Sequence, residues 1–132
     1  MISTKGRYAL RVMIDLARQS ADGYIPLKDI ADRQQISKKY LEIIVKELVT
    51  AGLLKGVSGK NGGYKLSKPA EEYSVGEILE ATEGDMAVVA CLSGGAEECP
   101  RAGTCETLPM WSEYNKMVHD FFFSKKLTEL VK

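Results

Sequence analysis

The sequence predicts a mainly α-helical fold that carries one small β-hairpin, and three observations lead to this prediction. Apolar residues recur at helical spacing in several separate stretches of the 132-residue chain. A glycine-rich segment at residues 58–63 separates two short runs of strand character, which is the pattern of a β-hairpin. Residues 109–123 carry a broad apolar stripe, which predicts a long C-terminal helix.

The first two helices are marked by their start and stop signals. A serine or threonine caps a helix over about residues 4–19, and Asp22-Gly23 is a turn signal after it. Ile25 is expected to be extended. Pro26 then opens a second helix that runs to about residue 34, because proline costs least at a helix start.

The third helix has the clearest boundaries. Ser37 is its predicted N-cap, and Gly52 supplies a left-handed stop. Ile36 and Leu41 are spaced as a hydrophobic staple. The apolar face consists of Leu41, Ile44, Val45 and Leu48. Two short helices joined by a tight turn, with basic residues on the second, predict a helix-turn-helix.

A β-hairpin and a short helix follow. Strands are predicted at residues 53–57 and 64–66, and a hairpin in this place behind a helix-turn-helix is a wing. Ser74 and Glu77 form a predicted capping box for a helix that ends at Gly84. The predicted fold class is therefore mainly α with a small β-hairpin wing: a winged helix-turn-helix plus a long C-terminal dimerisation helix.

The net charge of zero conceals a division between the two halves of the chain. Residues 1–70 carry 13 Lys and Arg against 6 Asp and Glu, whereas residues 71–132 carry 5 against 12. A basic half favours a polyanionic partner, although chance clustering is an alternative in so short a chain. Neither an apolar run of about 20 residues nor a signal-peptide core occurs, so we expect a cytoplasmic protein without a membrane partner.

The basic face of the third helix and the tip of the wing are the first candidate sites. A helix with basic and hydrogen-bonding groups over its first turns fits the major groove of double-stranded DNA, although solvated charges are an alternative. Its candidate DNA-binding residues are Lys38, Lys39, Tyr40 and Glu42. A glycine-rich tip allows close approach to a sugar-phosphate backbone. The candidates there are Ser58, Gly59, Lys60 and Asn61.

Three cysteines, Cys91, Cys99 and Cys105, lie in one stretch with few secondary-structure signals. Their spacing differs from a C-x-x-C redox motif and from the usual structural zinc sites. Grouped thiolates are typical ligands of soft metals and iron–sulfur clusters. Three thiols leave a fourth position open, for which the nearby candidates are Glu97, Glu98, Glu106 and His119. A lone histidine such as this one is more often a surface or interface residue.

The apolar stripe of the last helix is richer in large side chains than one small domain covers. Its members are Met110, Trp111, Tyr114, Met117, Val118, Phe121 and Phe122. We expect the stripe to pack against the same helix of a second chain, and a two-fold homodimer matches a palindromic DNA operator. Folding back as monomer core is the alternative.

These features occur together in one order, and in that combination the chain resembles the bacterial family of winged-helix regulators typified by IscR, NsrR and CymR. The stretches that carry the likeness are STKGRYALRVMIDLA, ISKKYLEIIVKELVTAGLLK, GKNGGYKLSKP and VGEILEATEG, followed by the three-cysteine loop. The resemblance implies a homodimeric transcription factor, usually a repressor. In the IscR and NsrR branch it implies that three loop cysteines hold a [2Fe-2S] or [4Fe-4S] cluster that governs DNA binding.

Two departures from that family concern the cluster and the wing. The interval between Cys91 and Cys99 is longer than in IscR-like members, and Glu106 follows Cys105 where those members carry a histidine shortly afterwards. Ser58 stands where the wing often carries arginine. CymR-like members lack the cysteines and work through a partner protein, so the cysteines here favour the cluster-binding branch.

The sequence therefore predicts a homodimeric DNA-binding transcriptional repressor whose operator binding is controlled by an iron–sulfur cluster held by the three cysteines.

 The alternative is a cluster-free, thiol-based redox-sensing repressor, and a remote alternative is a thiol oxidoreductase. No arrangement of catalytic residues favours any other enzyme, so we expect a protein that is not an enzyme. The predicted division is a winged helix-turn-helix domain at 1–84, a cysteine-bearing sensor loop at 85–108, and a dimerisation helix with its tail at 109–132.

Overall fold

The computed structural model describes residues 2–19, 23–95, 97 and 99–132. Within these residues the fold consists of five α-helices and one two-stranded antiparallel sheet. The helices are α1 (Thr4–Gln19), α2 (Leu27–Gln34), α3 (Lys38–Thr50), α4 (Val75–Glu83) and α5 (Leu108–Ser124), and the strands are β1 (Leu54–Val57) and β2 (Gly63–Leu66). This confirms the predicted fold class, mainly α with a small β-hairpin wing and a long C-terminal helix, whereas the dimerisation role of that helix stays a prediction. Asp22, half of the predicted turn signal, lies outside the described residues.

Local signals set most of the helix boundaries. The Ser37 side chain accepts a hydrogen bond from the backbone N–H of Tyr40 at 3.2 Å, which confirms it as the N-cap of α3. The Ser74 side chain does the same for the N–H of Glu77 at 3.1 Å at the start of α4. The Glu77 carboxylate lies 2.9 Å from the Lys68 ammonium, so among the described residues it forms an ion pair and only the Ser74 half of the predicted capping box is present. Pro26 is the residue just before α2 and not its first residue.

The wing is a hairpin with a third short partner. Leu54 pairs with Leu66 and Val57 with Gly63. Ile25 forms an isolated bridge with Tyr64, with N–H to O distances of 2.8 and 2.9 Å, which confirms its expected extended conformation. A Cβ atom on Gly63 would collide with the Ile25 carbonyl, and the φ angle of Gly63 is 153°. Glycine at this position therefore lets the segment before α2 lie directly against the wing.

The core lies among α1, α3 and α4, with the base of the wing closing one end. The apolar face predicted for α3 is completely buried. The α1 helix contributes Ala9, Val12, Met13 and Leu16 to the same cluster, and α4 contributes Ile78. The α4 helix thus packs inside the winged domain, as its apolar residues predict.

After α5 the chain returns to the winged domain, which the sequence analysis did not anticipate. Ser74 and Lys126 form an isolated antiparallel bridge, and the Leu127 N–H donates to the Tyr73 carbonyl at 3.0 Å. Leu127 is fully buried in the main core. The end of α5 is therefore anchored on the same body that holds α3. Among the described residues no helix is both long and apolar enough to cross a membrane.

Candidate nucleic-acid interface and cysteine loop

The α3 helix is held rigidly at both ends. Beyond the Ser37 cap at its start, the N–H groups of Gly52 and Leu53 donate to the carbonyls of Val49 and Leu48, both at 2.9 Å. This pair of hydrogen bonds is a Schellman motif, which needs the left-handed φ of 80° that Gly52 adopts. Gly52 is thus confirmed as the stop that the sequence predicts. One face of α3 is buried and the opposite face is presented to solvent.

The exposed face of α3 carries most of the predicted base-reading residues. Lys38, Lys39 and Glu42 are exposed. Tyr40 is half-buried, because its ring packs edge-on against Tyr8 of α1 with the ring centroids 5.8 Å apart. Tyr40 therefore has one side against protein and a smaller free surface than its lysine neighbours. Its contact with bases stays a prediction.

The wing tip projects into solvent. Ser58, Gly59, Lys60 and Asn61 are all exposed. The Gly62 N–H donates to the Gly59 carbonyl at 3.0 Å and closes the turn. Gly59 and Asn61 have φ angles of 93° and 67°, conformations that glycine and asparagine adopt more readily than other residues. The tip therefore has a defined shape and presents one ammonium group, that of Lys60.

Two contacts connect α1 to the elements on either side of it. The Ser3 N–H at the start of α1 donates to the Glu83 carboxylate at 3.0 Å, and a Cβ atom on Gly6 would collide with the same carboxylate. The Lys5 ammonium lies 2.9 Å from the Glu47 carboxylate of α3. The first turn of α1 thus contacts both the end of α4 and α3.

The cysteines lie on the segment that joins α4 to α5. Cys91 is exposed in a 3-10 turn at Ala90–Leu92, while Cys99 and Cys105 are half-buried, and all three are free thiols. Within the described part of the chain, no three His, Cys, Asp or Glu side chains converge in a way that could hold a metal ion. The structure therefore places the three predicted ligands on one segment but does not gather them into a site.

The candidates for a fourth ligand are dispersed. Glu97 and Glu106 are exposed, and Glu98 lies outside the described residues. The His119 ring stacks on Phe123 with the centroids 4.4 Å apart, and its Nδ1 lies 3.4 Å from the Asp120 carboxylate. His119 is an exposed residue on α5, in agreement with the surface role that its isolation in the sequence favours.

The Cys105 thiol has a distinctive environment. The Thr107 hydroxyl lies 3.4 Å from its sulfur, and this hydrogen bond, with the backbone N–H groups of Thr107 and Leu108, lowers the pKa of the thiol. Arg101 adds a smaller effect in the same direction. Leu108 begins α5, so Cys105 lies just ahead of a helix start, where a thiolate is favoured. The spacing of the cysteines in the sequence does not indicate this position.

Asp85 organises the first part of the loop. Its carboxylate accepts hydrogen bonds from the Ser93 hydroxyl at 2.7 Å, the Gly94 N–H at 2.6 Å and the Ala87 N–H at 2.9 Å. The hydrogen bond from Ser93 is the largest cause of a lowered pKa for Asp85. These contacts fold residues 85–94 into a compact turn that carries Cys91.

The ligand atoms that the loop offers, three cysteine sulfurs, are those that bind an iron–sulfur cluster. Three thiols lie within one connection, and the lowered pKa of Cys105 favours the thiolate form that binds iron. Cys91, Cys99 and Cys105 are the residues that would hold the group. In the structure the donors are present on one segment, and binding requires that segment to bring them together.

The predicted stripe on α5 divides into two faces. Trp111, Val118 and Phe122 are half-buried against the rest of the chain. Met110, Tyr114, Met117 and Phe121 are 50–63% exposed and follow one another at helical spacing. The exposed half borders a groove that is closed on its other side by Ile2, Met86 and Val88. Part of the stripe therefore belongs to the monomer, and part remains a free apolar surface.

The helix-turn-helix, the exposed face of α3 and the wing define the chain as a winged helix-turn-helix protein. The profile of the Rrf2 family, described as "Iron-dependent Transcriptional regulator", matches residues 2–132. The chain belongs to this family. The match extends over nearly the whole chain, including the cysteine loop and α5.

Individual relatives agree with the family assignment. The chain is 38% identical to a putative HTH-type transcriptional regulator of Haemophilus influenzae, over 98% of this chain and 85% of that protein. It is also 38% identical to the transcriptional regulator IscR of Pectobacterium atrosepticum, over 98% of this chain and 78% of that protein. These relatives are transcription regulators and not enzymes, in agreement with the predicted absence of enzymatic activity.

Solved structures show the same fold. CymR, the global cysteine regulator of B. subtilis, has a TM-score of 0.77 and 34% identity, over 98% of this chain and 95% of that chain. The oxidized form of Staphylococcus aureus CymR has a TM-score of 0.74 and 37% identity, over 100% and 96%. T. potens IscR has a TM-score of 0.75 and 32% identity, over 98% and 85%. The chain is thus similar to both branches of the predicted family.

Proposed function

We propose that the chain is a homodimeric repressor that binds a palindromic DNA operator and is controlled by an iron–sulfur cluster held by Cys91, Cys99 and Cys105. The observation that carries the DNA-binding part is the exposed, lysine-led face of α3 together with an exposed wing tip. We expect the protein in the cytoplasm, since a DNA-binding regulator has to share a compartment with its operator. Membership of a family of transcription regulators supports the same role.

The roles of the individual residues follow from their chemistry. Lys39 donates to guanine and Glu42 accepts from the cytosine amino group in the major groove, where base edges are distinguishable. Lys38 and the wing-tip lysine, Lys60, neutralise phosphates. Tyr40 contacts the duplex with the half of its ring that Tyr8 leaves free. Ser58, Gly59 and Asn61 let the tip approach the minor groove.

DNA binding by this surface is tested by its dependence on salt. Fluorescence anisotropy with a duplex enriched by the protein from a random-sequence library gives the affinity at several salt concentrations. Removing one phosphate contact with Lys60→Ala reduces the slope of log affinity against log salt by about 1. Lys132→Ala, a change at an exposed lysine outside the proposed surface, serves as the control. A slope near zero for the unmodified protein excludes a phosphate interface.

The homodimer is supported by the free apolar surface on α5. Four large apolar side chains on one face of α5 are each 50–63% exposed. Exposing such a continuous apolar surface to water is unfavourable unless a second surface covers it. The same stripe on a second chain can pack against this one. Such a contact between identical surfaces generates two-fold symmetry. Two-fold symmetry in turn places two α3 helices on a palindromic operator.

The division of the chain assigns one role to each segment. Residues 1–84 bind DNA, residues 85–108 form the sensor loop, and residues 109–132 supply the dimer contact and a tail that returns to the core. When bound, an iron–sulfur cluster supplies a centre whose integrity depends on redox conditions. The loop thiolates bind it, and Asp85 holds the first turn of the loop in place. Ordering of the loop changes the position of α5 and the spacing of the two recognition helices.

A mechanical connection from the loop to α3 supports this control. The α4 helix ends at Glu83, one residue before the loop, and Glu83 holds the first turn of α1 through Ser3. Lys5 of the same turn pairs with Glu47 of α3. A displacement at the end of α4 therefore reaches the recognition helix through two direct side-chain contacts.

Cluster control is tested on protein purified without oxygen. We expect about stoichiometric iron and sulfide, a visible absorption band, and a difference in DNA affinity between the sample before and after exposure to air. The Cys91→Ser, Cys99→Ser, Cys105→Ser triple variant is the control, and it is expected to be colourless and indifferent to air. A colourless, iron-free protein that remains so after reconstitution contradicts the cluster.

A second candidate function is a cluster-free thiol sensor, and the lowered pKa of Cys105 is the observation that favours it. In that case an oxidant such as hydrogen peroxide removes two electrons and two protons from a pair of loop thiols, which form a disulfide. The iron-free protein then loses two titratable thiols per chain after peroxide treatment and changes its affinity for DNA. Full recovery of both by a dithiol reductant supports this candidate over cluster control.

A further inference from the structure

Ile43 is an exposed aliphatic residue on the polar face of α3. Its side chain is 49% exposed. On one side its neighbours at helical spacing are Lys39, Lys46 and Thr50, which are exposed, and on the other side they are Tyr40 and Glu47, which are half-buried. Ile43 therefore lies on the solvent side of the helix, between its exposed and its half-buried residues.

The position of Ile43 has no explanation in the packing of the chain. The buried face of α3 is filled by four other residues, and an isoleucine on the solvent side adds neither core contacts nor helix propensity. Ile43 borders a shallow depression that also involves Glu47 and Ala81, but half of its surface remains free. It is also remote in the sequence from the apolar stripe on α5 that the proposed dimer uses.

The charges around Ile43 indicate which partner covers it. Lys39 and Lys46 lie one turn before and one turn after it on the same face, and neither forms an ion pair within the described part of the chain. An apolar group between two free ammonium groups suits a polyanion that also presents an apolar group. In the major groove of DNA only thymine does so, through its 5-methyl group.

We propose that Ile43 is a specificity-determining residue that packs on the 5-methyl group of a thymine in each operator half-site. This inference rests on the proposed function, since it requires α3 to lie in the major groove. Lys39 and Glu42 read polar base edges, and Ile43 adds a requirement for thymine at a neighbouring base pair. The contact buries about one methyl group on the DNA side, so it changes affinity about fourfold per half-site.

The experiment uses duplexes enriched from a random-sequence library by the unmodified protein, with each thymine replaced in turn by deoxyuridine, which lacks only the methyl group. We expect one replacement in each half-site to weaken binding about fourfold. Ile43→Ala is expected to bind the thymine duplex more weakly and to lose its sensitivity to deoxyuridine at that position alone. Ile43→Val, which keeps part of the contact, is expected to give an intermediate sensitivity.

Val49→Ala is the matched control, because Val49 is the other exposed aliphatic residue of α3 in the described structure and lies away from the face that Ile43 occupies. It is expected to keep the full response to deoxyuridine. Thermal unfolding followed by circular dichroism verifies that both variants are folded. An Ile43→Ala protein that still discriminates thymine from deoxyuridine at every position overturns the inference, as does an unmodified protein that discriminates at none. If the unmodified protein enriches no sequence and binds no duplex, the proposed function itself fails.

Discussion

The phenolic oxygen of Tyr73 donates a hydrogen bond of 2.6 Å to the backbone carbonyl of Leu53. The same oxygen accepts the N–H of Ser67 at 2.9 Å, and Tyr73 is fully buried. Leu53 leads from α3 into β1, and Ser67 follows β2. One buried hydroxyl thus connects the end of α3 to both strands of the wing. It fixes the position of the wing relative to α3.

Removing this hydroxyl with Tyr73→Phe is expected to destabilise the fold. The Leu53 carbonyl and the Ser67 N–H lose a partner in a buried place, which costs about 1–3 kcal/mol. Urea denaturation measures the change in the free energy of unfolding. Tyr64→Phe is the control, because the Tyr64 hydroxyl has no hydrogen-bond partner among the described residues and Tyr64 is only half-buried. Equal effects of the two variants would show that the Tyr73 hydroxyl has no special role.

Breaking the ion pair between α1 and α2 is expected to cost about 2 kcal/mol. The carboxylate of Asp15, 1% exposed, accepts hydrogen bonds from Arg33 at 2.8 and 3.0 Å and from the Gln34 amide at 2.9 Å. The hydrogen bond to Asp15 raises the pKa of Arg33. Arg33→Gln leaves a buried carboxylate without its charged partner, but the guanidinium is 38% exposed, so the cost is below the about 3–5 kcal/mol of fully buried pairs.

Denaturation of the Arg33→Gln variant measures this cost, and Arg18→Gln on the exposed side of α1 is its control, with an expected change within about 0.5 kcal/mol. Adding Asp15→Asn to Arg33→Gln removes the stranded charge and is expected to recover part of the loss. A single variant as stable as the unmodified protein would contradict the structural importance of the pair.

The reactivity of Cys105 is expected to depend on the Thr107 hydroxyl. A lowered pKa means that the thiolate forms at lower pH, so the rate of alkylation reaches half of its plateau below the usual pH for a cysteine. Thr107→Val removes the first cause of the shift, and we expect the midpoint to move to higher pH. Iodoacetamide kinetics between pH 6 and about 10 measure it in a Cys91→Ser, Cys99→Ser background that leaves one thiol.

Thr104→Val is the control for this measurement, since the Thr104 hydroxyl donates to the Arg101 carbonyl at 3.4 Å and not to the thiol. Its midpoint is expected to stay with that of the parent protein. A Thr107→Val midpoint that is unchanged or lower would mean that the hydroxyl does not stabilise the thiolate.

A charge in the exposed stripe of α5 is expected to separate the proposed dimer. Met117 is 63% exposed in the single chain, so Met117→Glu disturbs little inside it, but the carboxylate is costly in an apolar interface. Light scattering at micromolar concentration is expected to give twice the 14.5 kDa chain mass for the unmodified protein and the single-chain mass for the variant. Ser112→Glu places the same charge at an exposed polar position of α5 and is expected to remain dimeric.

The outlines of the helices could be predicted because their signals are local. Ser37, Gly52 and Gly84 act within one turn of their own positions, through hydrogen bonds between residues a few places apart. The apolar period of α3 likewise determines which face is buried. The basic residues of its opposite face are exposed for the same reason, so the candidate DNA-binding surface also follows from local pattern.

Contacts between residues distant in the chain were not foreseen. The sequence does not pair Asp15 with Arg33, place Tyr8 beside Tyr40, or return Leu127 to the core after α5. The sequence also does not show which part of the apolar stripe on α5 is buried. That is decided when α4 and the loop cover one side of the helix. Each of these depends on how the helices pack, and many partners are compatible with the same apolar or charged pattern.

By itself the sequence determined the order and ends of the helices, the wing, the basic half of the chain and the three thiols between α4 and α5, because these are properties of neighbouring residues. Only the tertiary structure decided that Tyr40 is partly covered by Tyr8, that one half of the α5 stripe is covered and the other half exposed, and that the thiols are not gathered in the folded chain. The physical reason is that exposure and convergence depend on which surfaces meet when helices pack. The periodicity of the sequence alone does not determine which helix surfaces pack against each other.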